Sequence, residues 1–105
     1  MFEFDHERLD CYRLALGVAR ELSSVKFPRG DADLRDQAVR AARSVVLNIA
    51  EGRARGGGAQ HNHYRIALGS AAEVCAALDL VALESREDLQ NCLRRVGAML
   101  AKISR

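Results

Sequence analysis

The sequence predicts an all-α protein, an antiparallel up-down four-helix bundle spanning residues 1–105 as a single domain. Three observations carry this. Apolar residues recur at spacings of three and four through four separate stretches, the turn-forming residues fall between those stretches, and the apolar share is supplied mainly by Ala, Leu and Val, with three Phe, two Tyr and no Trp. Small aliphatic side chains suit close helix packing better than sheets. At 105 residues the chain has room for one core, in which a domain buries about 60–70% of its unfolded surface.

The first helix is expected to be capped by Asp5, with Leu9, Tyr12, Leu16, Ala19 and Leu22 on one face, and to end near Ser24. Lys26-Phe27-Pro28-Arg29-Gly30 contains the only proline and forms the first loop, after which Asp31 or Asp33 offers a new cap. The second helix should run to about Arg53, burying Leu34, Ala38, Ala41, Ala42, Val45, Val46 and Ile49. Gly56-Gly57-Gly58 then stops it as a mobile hairpin loop. The third helix is expected to begin between Ala59 and His63 and to carry Tyr64, Ala67, Leu68, Ala71, Val74, Cys75, Leu78 and Val81 inward. Its interior Gly69 costs about 1 kcal/mol relative to Ala, a cost usually offset by close contact, so Gly69-Ser70-Ala71-Ala72 is expected to mark where another helix approaches. Ser85, with Glu87 and Asp88 behind it, caps a fourth helix whose stripe is Leu89, Cys92, Leu93, Val96, Met99, Leu100 and Ile103. Short connections make neighbouring helices antiparallel.

Sixteen basic and fourteen acidic residues leave a net charge of +2, too small by itself to announce a nucleic-acid or membrane binder. The distribution is more telling. Residues 35–65 hold Arg35, Arg40, Arg43, Arg53, Arg55 and Arg65 against Asp36 and Glu51, whereas residues 73–88 are mostly acidic. Cys11, Cys75 and Cys92, odd in number and widely spaced, suggest buried free thiols rather than disulfides or a zinc site. The acidic first ten residues do not form a signal peptide and no apolar run reaches the length of a membrane span, so a cytoplasmic protein without membrane contact is expected.

On the second helix Gln37, Arg40, Ser44, Asn48 and Glu51 fall within about 80° of one another. A solvated face is the plain reading. The mixture of Ser, Asn and Gln, with Leu47 and Ala50 at its edge, points instead to a buried or interfacial polar network, extended by Ser70 and Glu73, in which Arg40 pairs with Glu51 or Glu73. His61 and His63, at i and i+2, do not share a helical face, so they read as solvated or capping groups rather than metal ligands, and His6 likewise. Ser44 and Ser70 lack a nucleophile motif, and the glycine triplet lacks the strand and Gly-Lys-Ser/Thr ending of a phosphate loop. An enzyme built on Glu51, Glu73, Asn48 and Arg40 is disfavoured, because paired carboxylates in a bundle more often serve structure. Neither cofactor, metal nor small-molecule substrate is expected. Arg40, Arg43, Arg53, Arg55 and Arg65, with Arg13 and Arg20, are candidate contacts for phosphate backbones. Only Tyr64 adjoins them, so base stacking is not expected to contribute.

The run Asp36-Gln37, Arg40-Ala41-Ala42, Ser44 and Asn48-Ile49-Ala50-Glu51-Gly52, followed by Tyr64, Ile66-Ala67, Gly69-Ser70-Ala71 and Glu73, resembles the four-helix bundle family named after intervening sequences in 23S rRNA genes. The resemblance covers the first three helices; the last quarter matches by pattern. It implies an up-down bundle assembling as a ring, typically a homopentamer, with no enzymatic activity. The family is similar to accessory variability proteins of diversity-generating retroelements, whose basic pentameric barrels are implicated in binding nucleic acid and a reverse transcriptase. By that analogy the partners expected here are further copies of the chain and RNA or DNA, or a nucleoprotein. A protein-interaction scaffold without nucleic-acid binding is the competing expectation.

Overall fold

A computed structural model describes residues 1–104. After a short 3-10 turn at Asp5–Arg8, four α-helices follow: α1 (Asp10–Ser24), α2 (Ala32–Arg55), α3 (Gly57–Asp79) and α4 (Arg86–Ile103). Among the described residues the backbones approach closely between α1 and α2, α2 and α3, α3 and α4, and α4 and α1, and not across either diagonal. The helices therefore stand at four corners in chain order, alternating in direction, as an up-down bundle requires.

The core follows the expected stripes with small rotations. On α1 the innermost ridge is Cys11, Ala15, Val18 and Leu22, at spacings of four, three and four, while Leu9, Tyr12 and Leu16 flank it half-buried. Val39 and Ala77 join the buried set, and Leu34, Leu68, Cys75, Cys92 and Met99 pack against its margin. Ile103 lies outside it, exposed near the end of α4. None of the three cysteines is bonded to another, and Cys11 alone is fully buried; Cys75 and Cys92 are half-buried.

The helix ends differ from expectation in instructive ways. Asp5 does not cap α1. The Glu7 carboxylate accepts the Phe4 N–H at 2.8 Å, which holds residues 5–8 in the tighter turn and postpones α1 to Asp10. Asp31 and Ser85 occupy the positions preceding α2 and α4, yet neither side chain makes a capping bond; their carbonyls accept the Arg35 and Leu89 N–H groups instead. The glycine triplet is not a loop. Gly56 alone separates α2 from α3, and Gly56 and Gly57 adopt φ of 70° and 59°, where a side chain would be strained. The turn is tied by Gly52, whose carbonyl accepts both the Gly56 N–H at 3.1 Å and the Gln60 amide at 3.2 Å.

The close approach of helices lies at Gly52, not at Gly69. A methyl group on Gly52 would meet the Tyr64 ring at 2.9 Å and the His63 Cβ at 3.0 Å, whereas nothing lies within 4 Å of one on Gly69. Gly69 is exposed on the outer side of α3. Within the chain its propensity cost is offset by no contact. At the other end α3 is fastened to α4 by buried Gln90, whose amide donates to the Cys75 carbonyl at 3.0 Å and the Asp79 carboxylate at 2.8 Å. The sequence pattern gave no hint of Gln90, which sits one position beyond Leu89 on an apolar stripe.

Gly52→Ala is expected to force α2 and α3 apart and to lower stability by about 1–3 kcal/mol. Gly69→Ala should instead leave stability unchanged or raise it by up to about 1 kcal/mol. Urea denaturation midpoints of the two variants test the contrast.

Candidate polar seam and basic surface

Four side chains form a connected chain of hydrogen bonds along the α2–α3 seam. The Ser44 and Ser70 hydroxyls lie 2.9 Å apart. The Asn48 amide donates to the Ser44 carbonyl at 2.9 Å and to its hydroxyl at 3.1 Å, and the Asn48 carbonyl oxygen lies 2.8 Å from His63 Nδ1. Since Asn48 Oδ1 can only accept, the proton of this bond belongs to His63 Nδ1. All four residues are half-buried, so each bond joins the helices at a boundary where water is partly excluded and lost partners are costly.

The expected network is thus smaller and differently composed. Ser44, Asn48 and Ser70 belong to it. Gln37, Arg40, Glu51 and Glu73 are exposed and take no part. Glu51 pairs with Arg55 at 3.1 Å on its own helix, and among the described residues Arg40 pairs with neither Glu51 nor Glu73. Arg40 and Glu51 lie further round the helix than Ser44 and Asn48, away from α3, whereas Gln37 falls between those two in angle but about two turns nearer the start of α2. His63, expected to be solvated or capping, completes the chain because it faces Asn48 across the antiparallel pair. The signal that would have found it is register, since the one-residue turn at Gly56 fixes which residues of α2 and α3 meet. His61 Nδ1 lies 2.6 Å from the Ser104 carbonyl, and His6 packs edge-on against Tyr12.

Beneath the seam, Tyr64 is buried with no hydrogen-bond partner for its hydroxyl among the described residues. Burial raises its pKa above the ordinary phenol value; the nearby Arg53 guanidinium, which approaches without hydrogen-bonding geometry, partly opposes this. Burial likewise raises the Cys11 thiol. Neither environment favours an activated nucleophile.

The five candidate arginines are exposed but do not form one patch. Arg40 and Arg43 lie midway along α2, about 20 Å of helix away from Arg53 and Arg55. Arg65 projects from α3, and Arg55 is engaged by Glu51. Charge of both signs is present at each end of the bundle: Glu3 and Asp5 lie beside Ala54, near Arg53 and Arg55, while Lys26, Arg29, Arg35 and Arg86 share the other end with Asp31, Asp33, Asp36, Glu84, Glu87 and Asp88. No group of three His, Cys, Asp or Glu side chains among the described residues is placed to hold a metal ion, and no described helix is long and apolar enough to cross a membrane.

Asn48→Leu should cost about 1–3 kcal/mol, because it strands the half-buried His63 and Ser44 groups, while Gln37→Ala should stay within about 0.5 kcal/mol; thermal melts distinguish the two. A second expectation concerns alkaline pH. Because the folded state resists ionisation of Tyr64, the protein should lose stability as pH rises above the unfolded phenol pKa of about 10. Tyr64→Phe should flatten that part of the decline and, by removing an unpartnered hydroxyl, leave neutral-pH stability unchanged or higher. Urea titrations at a series of pH values measure both.

Comparison with known proteins agrees with this architecture. A search of curated proteins finds no match. The family model described as 23S rRNA-intervening sequence protein matches residues 7–102, which takes in all four helices almost to their ends. The chain belongs to the 23S rRNA-intervening sequence protein family.

Proposed function

We propose that the protein is a noncatalytic, ring-forming helical bundle of the cytoplasm that binds RNA or DNA, or a nucleoprotein partner, through its arginine-bearing surface. The observation that carries this reading is the set of exposed arginines without acidic partners: among the described residues Arg40, Arg43, Arg53 and Arg65 form no ion pair, while Arg55 is held by Glu51. Free guanidinium groups on rigid helices suit phosphate oxygens, and their scatter over one copy matters less once copies are repeated around an axis, where a modest field is multiplied. Membership of the family supports the same direction. A homopentamer is the assembly the family resemblance implies.

A scaffold without nucleic acid is the second reading. It is favoured by the exposed apolar side chains Leu47, Ile66 and Leu80, which suit a protein partner better than a phosphate backbone.

Fluorescence anisotropy with labelled RNA and DNA over a salt series tests the proposal. Binding is expected to weaken linearly in log–log form as salt rises, with a shallower slope for Arg40→Ala and for Arg53→Ala/Arg65→Ala. No binding at low salt by the intact assembly would refute it and leave the scaffold.

A further inference from the structure

We propose that the outer face of the α2–α3 pair, centred on Leu47 and Ile66, seats in the groove between α3 and α4 of a second copy of this chain. The inference rests on the ring-forming half of the proposed function and specifies which two surfaces meet.

Leu47 is 67% exposed and Ile66 43% exposed. Both lie mid-helix on the outer side of the α2–α3 pair, away from any chain end. On α2, Arg43 and Glu51 stand one turn to either side of Leu47, about 12 Å apart. The face is therefore an apolar ridge with a base toward one end and an acid toward the other.

The α3–α4 groove has the matching form. Its volume is about 370 Å³; Leu68, Cys75 and Leu93 supply apolar walls, and the small side chains of Ala72 and Ala76 leave it open. Its only charged lining groups are Asp79 and Arg94. The Asp79 carboxylate is fixed by the Gln90 amide at 2.8 Å, and Arg94 reaches only Asn91 on its own helix, at 2.9 Å. Docked with Leu47 in the groove, Arg43 meets Asp79 and Glu51, which also holds Arg55 on its own helix, meets Arg94, so the ridge and the groove complement each other in charge as well as shape and Arg40, Arg53 and Arg65 remain for phosphate. Because the two surfaces differ, the contact is heterologous. They occupy adjacent sides of the bundle, sharing α3, so successive copies are rotated about an axis, and the contact builds a ring where that rotation closes.

The test uses the full chain carrying Leu47→Cys, with native Cys75 as the cross-linking partner. Mild oxidation should give a ladder of covalent multimers on non-reducing gels, and the ladder should vanish in Leu47→Cys/Cys75→Ser. Leu47→Glu and Ala76→Arg should each reduce the mass by light scattering to that of one chain while circular dichroism stays helical. Multimers that persist without Cys75, or an undiminished assembly in Leu47→Glu, would overturn the interface while leaving a ring in place. A single-chain mass for the unaltered protein would overturn the interface and the ring together.

Discussion

The meeting of Gly52 with the Tyr64 ring decides how the two longest helices lie against each other. With no side chain at Gly52, α2 can approach α3 until the aromatic ring fills the space a methyl group would need. The same residue's carbonyl collects the Gly56 N–H and the Gln60 amide, so the contact and the turn are set together. Once the turn is one residue long, register along the whole pair follows, and with it the pairing of Ser44 with Ser70 and of Asn48 with His63.

That register divides the polar stripe of α2 into two functions. Ser44 and Asn48 turn inward and act between helices. Arg40, Arg43, Leu47 and Glu51 remain on the outside, held in a fixed order along a rigid helix. A hydrogen-bonded seam of neutral groups can sit at a half-buried boundary at little cost when every member has a partner, whereas arginine in the same place would carry a large desolvation penalty. The outward placement of the guanidinium groups is thus a physical consequence of the seam, and it leaves them free for an external partner. Tyr64 is the exception to full pairing. Its hydroxyl goes without a partner because its ring is needed in the contact with Gly52.

Much of this was legible in the residues. Four periodic stripes separated by turn residues identified the bundle, and most of the core could be named from spacing. What could not be read were the features that depend on two helices at once. Gly69 looked like the contact glycine because it lies mid-helix, but only the register places Gly52 against an aromatic ring. His63 read as solvated or capping because its partner is fifteen residues away across a turn, and Gln90 drew no reading because its acceptors belong to α3. Capping was overestimated for a related reason: Asp5, Asp31 and Ser85 have side chains able to cap, but the local backbone directs the bonds elsewhere. The candidate site was half legible. Ser44, Asn48 and Ser70 were found, and the separation of Arg40 from Glu51 and Glu73 was not, because only a few tens of degrees of rotation about the α2 axis distinguish seam from surface.

The central claim is that the α2–α3 pair is the rigid plate on which the rest of the protein is mounted. Native-state hydrogen exchange tests it most directly. The account predicts that the slowest-exchanging amides lie on either side of the seam, around Val45 to Gly52 and Tyr64 to Ala71, and that Gly52→Ala accelerates both groups together. Slowest exchange in α1 and α4, with the α2–α3 seam opening first, would contradict it.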